Sequence, residues 1–388
     1  MQSILITSKS SLSALGHESD EIWKNYQSKS TCLSICCFND MDTPTGRLQE
    51  KTQSLIDNLR KEHPHYRRLD KSVLMAILVG RNSLSKSKWS DLSKVGINMG
   101  SSRGATQLFE KYHEHFINSP KKRISPLVSP TTTLGNISSW MAFDFGTKGA
   151  TLTHSITCST ALHSILNASV WIKSGMTDKF IAGGTEAPLT DFTISQMRAL
   201  GIYSKNTSEW YCSPMKKRNT KNNMVLGEGA SAFCLESDEG QQHLAKIIGL
   251  GYSTEKIEHP ASLSADADCL KKSMRMALLD SELKTVDAIV MHAPGTIKGD
   301  QSEYKAIQSV FGTQTPHLIS TKHQSGHTFG ASGGLSLDLA IEMLNRKSVI
   351  QFPYETEVYQ EKCTPKTILI NAVGFGGNAV SIIVQKTD

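Results

Sequence analysis

No apolar run in this chain of 388 residues is long enough to cross a bilayer. The longest, Val73 to Val79, falls far short of the roughly 20 residues a spanning helix needs. The opening, Met1 to Thr7, has no basic segment and only three consecutive apolar residues, so no secretory signal is expected and the chain is expected to stay in the cytoplasm. Cysteine is too sparse, at 8 residues, for a disulfide scaffold. Cys32, Cys36 and Cys37 cluster, but no second Cys or His pair follows to complete a zinc site, so no metal is expected. Apart from Cys158, the thiols are expected to be reduced and mostly buried. Charge of one sign is not in large excess either: 42 Lys+Arg against 36 Asp+Glu leaves +6. The basic clusters Lys121–Arg123 and Lys216–Arg218 lack interleaved aromatics, which argues against nucleic acid. Each reads as solvated surface or, in a functional reading, as a docking patch for an acidic partner. No Pro-rich linker or low-complexity tract divides the chain.

What is present is an alternation of short apolar runs and amphipathic stretches. Strands are expected at 94–99, 179–182, 230–236, 288–291, 317–320 and 367–370. Helices are expected at 71–84, 267–279, 302–311 and 335–344. The pattern predicts an α/β fold with helices layered on sheet. One helix stands out, beginning near Cys158. Leu162, Ile165, Leu166 and Ile172 mark its apolar face, Lys173 its last turn and Gly175 its end. Residues 149–157 read as a strand leading into it.

Cys158 therefore sits at a turn from strand to helix. Unpaired N–H groups and the helix dipole there favour a thiolate, which predicts a thiol pKa below its free value of about 8.5. By position alone, a buried structural Cys accounts for it equally well. A nucleophilic thiol needs partners. His292 ends the apolar strand 288–291 and enters the turn Ala293-Pro-Gly-Thr296, followed by Asp300 and Glu303. His327 lies in a Gly-rich loop after Ser320-Thr-Lys322. A third strand end, Gly374-Phe-Gly-Gly377 with Asn378, closes the set.

In this order the segments resemble the β-ketoacyl-acyl-carrier-protein synthases, the ketosynthases of the thiolase-like superfamily, from about Tyr66 to the C-terminus. Thr157-Cys-Ser-Thr160 is similar to the active-site Cys segment, and Gly183-Gly-Thr-Glu186 and Gly227-Glu-Gly-Ala230 to two further family motifs. His292–Thr296 with Asp300 and Glu303 resembles the first His motif. Ser320, Thr321, Lys322, Gly326 and His327 resemble the second.

The resemblance implies a five-layer α-β-α-β-α fold from two similar halves. Residues 1–240 would carry the nucleophile and 241–388 the two His. It implies a decarboxylative Claisen condensation, in fatty-acid, polyketide or aryl-polyene-type chain elongation. Cys158 would accept an acyl group, and His292 and His327 would stabilise the enolate formed from a malonyl thioester. The backbone N–H groups of Cys158 and Phe375 would hold the acyl-transfer oxyanion. Lys322, paired with Glu303, would orient the His327 loop or serve as a purely structural ion pair, with Asp300 in support. Thr296, Phe109, Phe375 and Gly376 would contact substrate. Phe109 would shorten the acyl pocket or stand as an ordinary core aromatic, and Phe375 would double as a gate. No cofactor is implied. The implied partners are an acyl carrier protein and either a second copy of the chain or a second ketosynthase-like subunit.

Three positions depart from the family pattern. Pro294 replaces a Thr that helps hold the pantetheine arm, Thr157 replaces the usual Ala before the nucleophile, and Ala161 replaces a Gly. The departures suggest a specialised ketosynthase. The alternative is a subunit shaping the pocket of a partner ketosynthase, though such subunits usually lack the nucleophilic Cys. A Cys–His hydrolase would leave the second His and the Gly-Phe-Gly-Gly segment unexplained.

Overall fold

The computed structural model describes residues 4–206, 210–256, 263–312 and 314–386; Met1–Ser3 of the opening segment lie outside them. The first half of the molecule runs β1 (Ile4–Leu12), α1 (Ser19–Gln27), β2 (Ser34–Phe38), β3 (Met41–Thr45), α2 (Glu50–Glu62), α3 (Lys71–Lys86), β4 (Gly96–Gly100), α4 (Thr106–Asn118), α5 (Val128–Thr132), α6 (Asn136–Phe145), β5 (Thr151–Leu152), α7 (Thr160–Lys173), β6 (Lys179–Glu186), α8 (Asp191–Ala199) and β7 (Gly229–Ser237). The second runs β8 (Ala245–Thr254), α9 (Asp268–Asp280), β9 (Ala288–Val290), α10 (Ile297–Phe311), β10 (His317–Ile319), α11 (Lys322–Ser325), α12 (Ser332–Asn345), β11 (Thr367–Gly374) and β12 (Asn378–Gln385).

Apart from the β2–β3 hairpin, the strands fall into two sets of five, ordered β5-β4-β6-β7-β1 and β10-β9-β11-β12-β8. Counting strands within each half, both sets read 3-2-4-5-1. The pairing sense repeats as well. Strands 3-2 and 2-4 are parallel, and 4-5 and 5-1 antiparallel. A short antiparallel ladder, Ile4 to Ile6 against Ile247 to Ala245, joins the two sets into one ten-stranded sheet.

Helices α7 and α12 occupy the same slot in each half, between the third and fourth strands, and pack on each other and on strands of both sets. α12 is buried from Ser332 to Leu344, as a helix covered on all sides must be. Close approach there depends on Gly334, where a Cβ would come within 1.9 Å of Ser231 Oγ. The acids of α12 are neutralised inside the core, with Lys9 Nζ 2.6 Å from Asp338 and 2.8 Å from Glu342. Helices α3 and α9 cover the outer faces of the two sets, completing the layers α-β-α-β-α.

Most predicted elements are present, with shifted ends. The segment 149–157 is not the strand its composition predicts, since only Thr151–Leu152 form a ladder with β4. Beyond them, side chains take over the backbone groups: Ile156 N–H donates to Thr160 Oγ1, and that hydroxyl to Thr157 O. α10 starts five residues before the predicted Ser302, because Asp300 accepts from the N–H groups of Gly295 and Thr296 and draws the first turn back. All eight cysteines are free. Of the seven outside the site only Cys212, Cys234 and Cys269 are buried, fewer than expected. No helix among the described residues is long and apolar enough to cross a membrane.

Candidate active site

Cys158 lies in the turn from β5 to α7, one residue before the N-cap Ser159. The second half brings His327 to it: Nε2 stands 3.2 Å from Cys158 Sγ. The His327 and His292 rings meet edge to face, with centroids 5.2 Å apart. Phe329 packs against the other side of His327. A cavity of about 710 Å³ opens onto all three reactive side chains, and Met197, Met224, Pro294, Thr296, Phe329 and Phe375 form much of its wall. That volume suits a flexible, largely apolar ligand.

Each His is held through its backbone. β9 delivers His292 to the centre, where Glu303 on α10 accepts the N–H groups of His292 (2.9 Å) and Ala293 (2.7 Å) and an Asn371 side-chain N–H (3.2 Å). Asp300 folds the following turn by its bonds to Gly295 and Thr296. The two acids are thus positioning groups for His292. His327 is clamped by the segment that leads into the Gly227 motif, its N–H donating to Val225 O (2.6 Å) and its carbonyl accepting from Gly227 N–H (3.1 Å). Glu228 of that motif is tied to Lys71 Nζ at 2.6 Å.

The predicted Lys322–Glu303 ion pair is not formed. Glu303 is occupied by the two backbone N–H groups and Asn371, while Lys322 Nζ finds Ser336 Oγ at 3.5 Å. The two charges act on each other only through the intervening low-dielectric space. Burial pushes Lys322 down to about 8, and the Glu303 carboxylate is the strongest influence opposing that shift.

Burial also decides the protonation of the reactive groups. Both imidazoles are kept neutral, His327 falling to about 3 and His292 well below its ordinary value, with the Lys322 charge adding to the effect. Each Nδ1 is buried without a partner among the described residues. An orphaned buried N–H is costlier than an orphaned lone pair, so the proton belongs on Nε2 of each ring. The expectation for the thiol is reversed. Burial pushes Cys158 up to about 12, the Glu186 carboxylate adds to this, and Lys322 and Arg103 only partly offset it. Nucleophile and imidazole therefore rest as a neutral pair. Below such a pKa the thiolate fraction grows tenfold per pH unit. Alkylation of Cys158 by iodoacetamide, followed by peptide mass mapping, is expected to keep accelerating to about pH 10, where a free thiol of pKa about 8.5 has levelled off. A plateau by about pH 8 would show instead that the helix terminus governs the thiol.

The N–H groups of Cys158 and Phe375 donate to no other group among the described residues, so both are uncommitted. Thr296 lines the cavity at the N-cap of α10. Two predicted contacts are displaced. Phe109 is 60% exposed on α4, a helix with no buried residue, and does not line the cavity in the single chain. Gly376 shapes the turn with φ +98° but is not part of the wall. No group of three or more His, Cys, Asp or Glu among the described residues could hold a metal ion.

Glu186 was legible only as a motif position. At the end of β6 its buried carboxylate accepts five hydrogen bonds, from Ser101 Oγ, the N–H and Oγ of Ser102, Arg103 N–H and Gly330 N–H. It ties the first half to the loop that carries His327. An acid ending an otherwise apolar strand was the available signal. The wall residues Met197 and Met224 carried none.

A family model described as the β-ketoacyl synthase N-terminal domain matches residues 1–240, and one for the C-terminal domain matches residues 244–353. The 3-oxoacyl-[acyl-carrier-protein] synthase 2 of Staphylococcus aureus (strain COL) is 26% identical over 410 residues, covering 99% of this chain and 98% of that protein. Among solved structures, the ishigamide ketosynthase/chain length factor superposes with a TM-score of 0.89 at 18% identity, covering 100% of both chains. AntDE:AntF, a type II PKS acyl-carrier protein in complex with its ketosynthase bound to the hexaketide, gives 0.85 at 20%, again over 100% of both chains. These likenesses establish the thiolase-like fold.

Proposed function

The chain belongs to the β-ketoacyl synthase family of acyl-transferring condensing enzymes, and on that premise we propose that it extends a carrier-bound acyl chain by decarboxylative condensation with a malonyl thioester. The observation carrying this reading is the convergence of Cys158, His327 and His292 in one cavity, with Sγ and Nε2 3.2 Å apart. In the first half-reaction the Cys158 sulfur attacks the acyl thioester. The carbonyl–sulfur bond to the carrier arm breaks, and the proton of the Cys158 thiol ends on the departing thiol. The uncommitted N–H groups of Cys158 and Phe375 receive the oxyanion. In the second, the malonyl carboxylate leaves as carbon dioxide and its electron pair forms an enolate. The Nε2–H groups of His292 and His327, kept neutral by burial, donate to the enolate oxygen. The enolate carbon then attacks the acyl-enzyme carbonyl, the bond to Cys158 breaks with the sulfur leaving as thiolate, and a proton taken up from water restores the thiol.

The partner in this reading is an acyl carrier protein, met in the cytoplasm by a homodimer or by a pair with a second ketosynthase-like subunit. The division between halves falls near residue 240. The intact Cys-His-His set favours an enzyme over a subunit that only shapes a partner's pocket.

Intact-protein mass after incubation with carrier proteins bearing acyl chains of graded length tests the reading. A gain of one acyl group, mapped to Cys158, is expected, and no adduct with any chain would overturn it. Of the two basic clusters, Lys121–Arg123 is the better docking candidate. At the other, Lys217 is already paired with Glu355 and the Arg218 N–H contacts Glu357. Reversing the three charges at 121–123 is expected to weaken carrier-protein binding about tenfold at low salt, mainly through the association rate. The same change at 216–218 should do less. Equal effects in a titration calorimeter would reject the assignment.

A further inference from the structure

Thr157, immediately before the nucleophile, has φ +47°, a region that L-residues avoid and β-branched ones most of all. A smaller residue would sit there with less strain, so the branched side chain needs a reason. Its hydroxyl donates to the carbonyl of Phe375 at 3.2 Å, across 218 positions of sequence and between the two halves. The contact is intimate: a Cβ on Gly374 would fall 1.7 Å from Thr157 Oγ1, so the hydroxyl occupies the space that this glycine leaves.

Among the described residues, the other hydrogen bonds of the turn it reaches stay within its own half. Gly377 N–H donates to Gly374 O (3.1 Å), Glu255 N–H to Gly377 O (3.2 Å) and the Asn378 side chain to Gly376 O (3.5 Å). Among the described residues, no other hydrogen bond joins this turn to residues 155–160. The turn carries Phe375, whose ring is 39% exposed while lining the cavity beside Cys158. Gly376 and Gly377 both have positive φ, which gives the turn a backbone able to adopt other conformations.

We propose that Thr157 is a positioning residue whose hydroxyl latches the Phe375 turn against the nucleophile's turn, and so sets how readily long or bulky acyl groups reach Cys158. The proposal deepens the ketosynthase reading and rests on Cys158 being the acyl-accepting thiol.

The test compares Thr157→Val, which keeps the branch and loses the hydroxyl, with Thr157→Ser, which keeps the hydroxyl, and with Thr157→Ala. The readout is the site-mapped alkylation rate of Cys158 by N-dodecylmaleimide divided by that for iodoacetamide. The quotient cancels changes in thiol ionisation and leaves access. Losing an ordinary hydrogen bond should raise it about fivefold in the Val and Ala variants, while Ser stays within about twofold of the parent. Should Val not fold, the Ala and Ser pair carries the comparison. A quotient unchanged in the hydroxyl-free variants would overturn the latch. Neither reagent needs a carrier protein, so the outcomes separate. A raised quotient without any acyl adduct retires the ketosynthase reading and spares the latch. An acyl adduct with an unchanged quotient does the reverse.

Discussion

Cys158→Ala is expected to abolish the acyl adduct and condensation while leaving decarboxylation of the malonyl thioester measurable. His292→Ala is expected to do the opposite, keeping the adduct and cutting decarboxylation about 10²- to 10³-fold, the usual effect of removing one oxyanion donor. The division follows from the geometry. His292 lines the cavity without hydrogen-bonding the thiol, and its backbone is held by Glu303 independently of its ring. His327 touches both functions through its 3.2 Å contact to Sγ, so His327→Ala should impair loading as well as decarboxylation. Carbon dioxide release from labelled malonyl carrier protein and intact-mass acylation read the two half-reactions separately. A His292 variant that loads no acyl group, or a Cys158 variant that releases no carbon dioxide, would break the assignment.

Glu186→Ala is expected to cost at least about 3 kcal/mol of stability, because it removes the acceptor of five buried hydrogen bonds at once. Glu186→Gln should fall between the two, since it keeps one acceptor oxygen but turns an amide NH₂ toward groups that also donate. Part of the damage should reach the chemistry. Gly330, one of the five donors, adjoins Phe329, which packs on His327. Urea titration of both variants gives the stability ladder, and a midpoint unchanged in the alanine variant would show that water replaces the carboxylate without loss.

Legibility in the sequence followed the range of the forces involved. Cys158, His292 and His327 were recognisable because their segments, taken in order, resemble the family's motifs, and the structure gathers them in one cavity. Helix α9, which buries a single stripe, showed in its periodicity. Burial depth is a tertiary property, and it hid the rest. The helix terminus near Cys158 suggested an easily ionised thiol, yet burial and the Glu186 carboxylate push it up. Lys322 and Glu303 were expected as partners from the family resemblance. The backbone N–H groups of His292 and Ala293 occupy the acid instead. Phe109 was placed at a pocket wall by the family resemblance, whereas its exposure on α4 is a tertiary property that no local pattern carries. Of the residues that do form the wall, Met197 sits on α8 and Met224 in the irregular stretch before β7, and neither position carries a local sign that it faces the cavity.

Matched slots in the two halves have taken different work. The turn after the third strand holds Cys158 in one half and leads to His327 in the other. The turn after the second strand presents His292 in one half, while its counterpart, Ser101–Arg103, spends its donors on Glu186. One lineage of loops became reactive and its twin became scaffold. Substitutions at corresponding places should therefore diverge in kind: a change at Ser102 should register as lost stability, and a change at His292 as lost rate.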